Sequence, residues 1–262
     1  MSDTTIWITG ATEGIGLGLA QTAPYPGARI INLSRRKHPD YESVIFDLTE
    51  PSTWDNVGRH LQSELSAFKG GRAIFIQNAY WSDGHGVLEQ VSGDTYMKSL
   101  YANLTAPLAL GAMFLHALKP GYEAGLALMS AGAAACCLEG LSTYGPGKIA
   151  LEHWAQIVDK ELGKRPGRPW VAAVRAGGTL TGPVKRMIET LDPKMPNVQH
   201  IRDNAKRRLD PVSAAKQIWA NLPPPPGVSL ISFGDPPDDP QYRFEGEKAK
   251  KVSVPGWQLM YR

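Results

Sequence analysis

Seven short apolar runs, most of them separated by longer stretches of helical period, constrain this chain more than any other feature. They read as strands at Thr5–Thr9, Arg29–Leu33, Ser43–Phe46, Ala73–Gln77, Gly125–Met129, Trp170–Arg175 and Val228–Phe233. Most are near-continuously apolar rather than alternating, the pattern of strands buried on both faces. Between them, Ser52–Leu65, Asp94–Leu118, Gly147–Leu162 and Val212–Leu222 carry helical spacing. Asp210-Pro211 gives the last of these an N-cap followed by a proline in the first turn. Alternation of this kind predicts an α/β fold with a parallel sheet covered on both faces. A chain of 262 residues, 42% hydrophobic, can bury one sizeable core. No internal repeat or linker divides it, so 1–262 is read as one domain, ending in a polar, proline-rich tail at about 235–262.

Composition excludes several classes. A net charge of +3, with no basic run beyond a few residues, does not suit a nucleic-acid binder. Cys136 and Cys137, the only cysteines, are adjacent and make a poor disulfide framework, which points to a reducing compartment and hence the cytoplasm. Met1 to Thr5 does not lead into a charged-then-apolar signal pattern. The longest mostly apolar stretch, Ala106–Leu118, is too short to span a bilayer, so no membrane association is expected. His38, His60, His85, His116, His153 and His200 form no paired ligand spacing, so no metal is expected either.

The first chemical motif follows the first strand directly: Thr9-Gly10-Ala11-Thr12-Glu13-Gly14-Ile15-Gly16. Glycines there allow a tight turn and let a diphosphate approach backbone amides at a helix N-terminus, where the dipole favours anions. A second motif is Tyr144-Gly145-Pro146-Gly147-Lys148, with Ser130 lying 14 positions before the tyrosine at a strand end. Tyrosine and lysine four apart on a helix share one face. A phenol titrates near pH 10, too high for neutral acid–base work, and an adjacent ammonium would bring it down. Because Pro146 is tolerable only in a first turn, the helix must start close to Tyr144. Gly10, Ser34, Asp47, Asn78, Ser130 and Ala176 all fall at or just after strand carboxyl ends, the edge where open parallel sheets bind ligands.

Glycine, three residues, then Gly-x-Gly, together with Tyr-x-x-x-Lys, resembles the short-chain dehydrogenase/reductase family over roughly residues 4–235. The resemblance implies a single doubly wound, Rossmann-type α/β domain with a parallel sheet of about seven strands, and a set of roles. Gly10, Thr12, Glu13, Gly14, Ile15 and Gly16 would form the dinucleotide turn. Asp47 and Leu48 would meet the adenine. Asn78 and Ala79 match the family's Asn-Asn-Ala-Gly, where Gln77 and Tyr80 depart from it. Asn103 matches the family's catalytic asparagine and would support a proton-relay water. Ser130 would orient the substrate oxygen, Tyr144 would exchange its proton, and Lys148 would tune the tyrosine and hold the ribose. Gly177, Thr179 and Thr181 would meet the nicotinamide, with Ala176 replacing the family's proline.

The implied activity is NADP(H)-dependent reduction of a small carbonyl, or oxidation of the corresponding alcohol, in a chain most similar to small reductases of the sepiapterin and benzil type. NADP(H) is expected because Ser34 stands where NAD-specific members place an acid, with Arg35 and Arg36 beside it for a 2′-phosphate. Glu13 opposes that preference. The alternative is a protein on the same fold that senses NADP without turnover; epimerases carry a different glycine spacing. Segment 183–208 would be a substrate lid. Trp81, His85, Trp154 and Met187 are pocket candidates, and the family's habit implies a homodimer or homotetramer.

Overall fold

The computed structural model describes residues 3–163, 167–190, 192–194, 198–199, 202 and 208–233. The C-terminal tail and the lid residues Met195, Ile201, Lys206 and Arg207 lie outside the described residues, as does the Met187 side chain. Seven parallel strands form one sheet: β1 Thr4–Thr9, β2 Arg29–Ser34, β3 Glu42–Ile45, β4 Arg72–Gln77, β5 Glu123–Ser130, β6 Trp170–Arg175 and β7 Leu230–Ser232. Their order is β3-β2-β1-β4-β5-β6-β7, so the direction of winding reverses between β1 and β4. Register is tight there: Ile6 faces Ile30 on one side and Ile74 on the other. The doubly wound Rossmann-type fold is as expected. β7 alone is much shorter than its apolar run.

Side-chain alternation divides the core into two layers. Trp7, Phe75, Leu126 and Leu128 point to the face covered by α2 (Trp54–Ser66), α4 (Ala106–Ala117) and α5 (Tyr144–Leu162). Ile6, Ile8, Ile76 and Met129 point to the opposite face, under α1 (Gly14–Gln21) and a helix at Pro211–Trp219. Asp210 caps that last helix, its carboxylate accepting from the amides of Val212 and Ser213. α5 does begin at Tyr144, with Pro146 in its first turn.

The long helix expected at Asp94–Leu118 differs in one respect. α3 (Gly93–Leu100) passes into α4 through a π-helical turn at Tyr101–Thr105, which contains Asn103. Such single-turn π segments concentrate at functional sites. The whole run from Gly93 to Ala117 is 25 residues and, by length and composition alone, could cross a membrane. The apolar stretch read from the sequence therefore understates it, although Ala102, Ala106, Leu110 and Phe114 along it are wholly buried in the core.

Phe114 anchors this layer, its ring 6.2 Å from that of Trp7 and 5.5 Å from that of Phe75. Phe114→Ala should cost about 3–5 kcal/mol. Urea unfolding should show a lower midpoint with an unchanged slope; a midpoint like that of the unmodified chain would mean this layer is not a packing centre.

Candidate functional site

The reversal between β1 and β4 opens a cavity of about 470 Å³ along the carboxyl edge of the sheet. Its floor is the turn after β1. Gly10 and Gly14 both have left-handed φ, +70° and +59°, which side chains disfavour. Gly16 serves packing: a Cβ there would stand 2.1 Å from the Gly10 carbonyl and 2.6 Å from Asn78 Nδ2. Gly16 therefore does not line the cavity; it lets α1 seat against the turn. No side chain caps the start of α1, where Glu13 is extended, so its first amides are left to an anion. Gly10, Thr12, Glu13, Gly14 and Ile15 line the cavity around that terminus. The set fits the diphosphate of a dinucleotide.

Two buried polar residues hold this floor, and the sequence reading passed over both. Thr9 Oγ1 accepts from the amides of Asn78 and Ala79, at 2.8 and 2.9 Å, while Asn78 Nδ2 donates to the Thr9 carbonyl. Asn32 Oδ1 accepts from the Ala11 amide, and its Nδ2 donates to Ser34 Oγ, the Arg36 carbonyl and Ser43 Oγ. Their one signal was a polar residue inside an apolar strand.

At one end of the cavity stand Ser34, Arg35, Arg36, Phe46 and Leu48. Ser34 Oγ donates to the Arg36 carbonyl and accepts from its amide, which turns the chain just after β2. Both arginines are about two-thirds exposed and only loosely paired: Arg35 Nη1 is 3.9 Å from Asp47, and Arg36 Nη2 is 3.8 Å from Glu13. Asp47 does not line the cavity. Its Oδ1 accepts from the Thr49 amide and hydroxyl, so it orders its own turn.

At the other end lie Tyr144 and Lys148, with Ala79 and the loop residues Gly177, Thr179 and Thr181 lining the same wall. Gly177 has φ +71° and packs against the Phe233 carbonyl; Ala176 is buried in the core beside it. Lys148 Nζ donates to the Met129 carbonyl at 2.7 Å and lies 5.5 Å from the centroid of the Tyr144 ring. Trp81 and His85 line this end too, whereas Trp154 packs into the core.

Ser130 departs from the role its resemblance implies. It keeps phase along β5 with Leu126 and Leu128 and so turns toward α5. There Oγ donates to Glu152 Oε1 at 2.6 Å. Arg175, opposite Ser130 in register, closes on the same carboxylate through Nε and Nη2, at 2.7 and 2.6 Å. Glu152 is 4% exposed, so this is a buried fork. The one hydroxyl proton of Ser130 is given to Glu152, not to the cavity. The next residue, extended Ala131, lines the cavity and offers no side-chain donor. Ser130 still lines the cavity, whereas Asn103 is absent from the lining. Its Nδ2 donates to the Trp81 carbonyl and Ser99 Oγ, and its Oδ1 accepts from the Trp81 amide, which commits both of its amide protons. Glu152 and Arg175 were not singled out from the sequence; only the fold brings them together.

Burial sets the charges. It pushes the Tyr144 phenol up to about 12, and the expected lowering by Lys148 is not among the causes of that shift. It pushes the Lys148 ammonium down to about 8, with Glu152 pulling weakly the other way. At neutral pH the phenol is therefore a held proton and the lysine is still charged. Between about pH 8 and the ordinary lysine value of 10.5, the unfolded chain keeps a proton that the folded chain has released. Lys148 thus makes folding stability rise with pH across that window. Lys148→Met should remove this contribution; an unchanged pH dependence of the unfolding free energy between pH 8 and 10.5 would contradict the buried lysine.

A family model for short chain dehydrogenases matches residues 4–192. A short-chain dehydrogenase of Emericella variicolor is 32% identical over 118 residues, 42% of this chain and 45% of that protein. A second, from Penicillium roqueforti, is 31% identical over 118 residues, 42% of this chain and 44% of the relative. The chain thus spans less than half the length of these curated relatives. Among solved structures, a short-chain dehydrogenase/reductase of Saccharomyces cerevisiae superposes with a TM-score of 0.74 at 19% identity, covering 89% of this chain and 97% of that one. A short-chain dehydrogenase of Shigella flexneri, complexed with NADP, gives 0.68 at 19% identity, covering 88% and 97%. With its glycine turn at the sheet reversal and its Tyr144–Lys148 pair at the cavity wall, this chain belongs to the short-chain dehydrogenase/reductase family of oxidoreductases.

Proposed function

We propose that the protein is an NADP(H)-dependent reductase of small carbonyl compounds, working in either direction between carbonyl and secondary alcohol. The observation that carries this reading is the half-buried Tyr144, its phenol held protonated at the cavity wall one helical turn from Lys148. NADPH bound along the sheet edge would supply the hydride. Tyr144 then gives its proton to the substrate oxygen and regains one from solvent, so the carbonyl gains a hydride and a proton in balance. Lys148, anchored on the Met129 carbonyl, keeps positive charge beside the phenolate that forms. Turnover by Tyr144→Phe should fall at least about a hundredfold with NADPH affinity nearly unchanged. Stopped-flow NADPH oxidation with aromatic ketones and diketones measures both, and wild-type turnover by the mutant would sink the assignment.

The preference for NADP(H) rests on Ser34 and the two cations beside it. Neither arginine is committed to a close ion pair, and guanidinium donors suit phosphate oxygens. Arg36 Nη2 also lies 3.3 Å from Thr12 Oγ1, which brings it to the diphosphate turn. The Glu13 carboxylate is exposed and screened, so it weighs less. Comparing kcat/KM for NADPH and NADH should favour NADPH, and Ser34→Asp/Arg35→Ala should move the ratio toward NADH. A double mutant with an unmoved preference would refute the phosphate contact.

The chain is further proposed to act in the cytoplasm on a small-molecule substrate, without nucleic acid or membrane, and as a homodimer or homotetramer. Exposed Met97 and Tyr101 of the long helical run, with Ile157 of α5, suit self-association. One observation favours the second reading, a sensor of NADP that lacks turnover: Ser130 gives its proton to Glu152. Tight NADPH binding without oxidation by any ketone would select it.

A further inference from the structure

We propose that His85 is the second hydrogen-bonding group at the reacting oxygen, donating a ring N–H to the substrate carbonyl beside Tyr144. This rests on the reductase reading above. Among the described residues neither ring nitrogen of His85 has a hydrogen-bond partner, although both are buried and the residue lines the cavity. Leaving a buried donor or acceptor unpaired costs about 1–3 kcal/mol. Such a group in a native structure calls for an explanation, and one at a cavity wall has a ready one in a bound ligand. The ring lies edge-on to Tyr144 with centroids 5.4 Å apart, and stacks on Tyr80 at 6.3 Å and 22°. It therefore stands at the catalytic phenol, where Ser130 Oγ gives its proton to Glu152 and Ala131 has no side-chain donor.

The loop bearing His85 is tethered on every side to the elements that set Tyr144. Asn103 grips Trp81 by both its amide and its carbonyl. The Gly86 amide donates to the Gly140 carbonyl at 2.8 Å, just before α5. Gly84 is buried so tightly that a Cβ would stand 2.6 Å from Ser99 Oγ, and Ser99 Oγ in turn donates to Thr143 Oγ1, the residue before Tyr144. These contacts give Asn103 a positioning role: it fixes the imidazole relative to the phenol through the loop. Burial also holds the imidazole neutral, its pKa pushed down to about 4, so at working pH it carries one N–H donor and one acceptor. His85 keeps its proton through the reaction; the proton that balances the hydride still comes from Tyr144.

The test compares NADPH oxidation by the full chain and its His85→Phe, His85→Gln and Ser130→Ala variants, with benzil, an aromatic diketone, as probe. Thermal melts and NADPH titrations are run alongside. His85→Phe, which keeps the ring stack, should lower kcat about thirtyfold or more with NADPH affinity within about twofold. His85→Gln, which keeps a donor, should recover at least about a third of that logarithmic loss. Ser130→Ala should lose less rate than His85→Phe while lowering the melting temperature, because it disturbs the Glu152 fork. Wild-type kcat in His85→Phe, a Gln variant as slow as the Phe variant, or a Ser130→Ala loss equal to or larger than that of His85→Phe would each overturn the proposal. Failure of the unmodified chain to oxidise NADPH with benzil or with any other ketone or diketone of the panel would instead bring down the reductase reading, and this inference with it.

Discussion

A parallel sheet covered on both faces leaves only its ends free for chemistry, and the rest of this structure follows from that constraint. With both core layers filled, a cavity opens at the carboxyl edge, where the order turns from β1 outward to β2 and β4 outward to β5. The opening is kept by few contacts. Gly16 admits α1 against the turn, Thr9 ties the end of β4 to the end of β1, and Asn32 ties the β2 loop to the glycine turn. Each is a buried polar or small residue in apolar surroundings, where its hydrogen bonds have no competition from water.

Alternation along the strands then decides which partners the side chains at their carboxyl ends meet. Ser130 and Arg175 are register partners and point the same way, into the layer under α5, where Glu152 meets them. Three polar groups satisfy one another there, and the pair of charges is compensated by two charge-assisted bonds. The fork sits one turn beyond Lys148 on α5, so it locks the helix that carries both Tyr144 and Lys148 to β5 and β6. A serine that the motif would place on substrate is thereby a brace for the helix.

The same burial sets the electrostatics of the reacting end. Tyr144 and Lys148 move in opposite directions, phenol up and ammonium down, because desolvation disfavours whichever form is charged. The imidazole of His85 follows the lysine for the same reason. Together they hold two neutral donors against one cation, an arrangement suited to receiving a developing negative charge on oxygen.

Local pattern carried much of this. The near-continuous apolar runs located every strand to within three residues. The left-handed glycines of the turn and the Tyr144-to-Lys148 spacing marked the two ends of the cavity, since each depends on backbone conformation or helical periodicity that neighbours in sequence set. The sequence alone could not show where Ser130 points, that Asn103 spends its side chain on Trp81, or that Glu152 and Arg175 form a fork. It also gave His85 no more weight than Trp154, though one lines the cavity and the other packs into the core. The physical reason is shared: these partners are joined across strands, helices and loops far apart in the chain. Which face a side chain takes, and how much water it loses, is decided only when the layers pack.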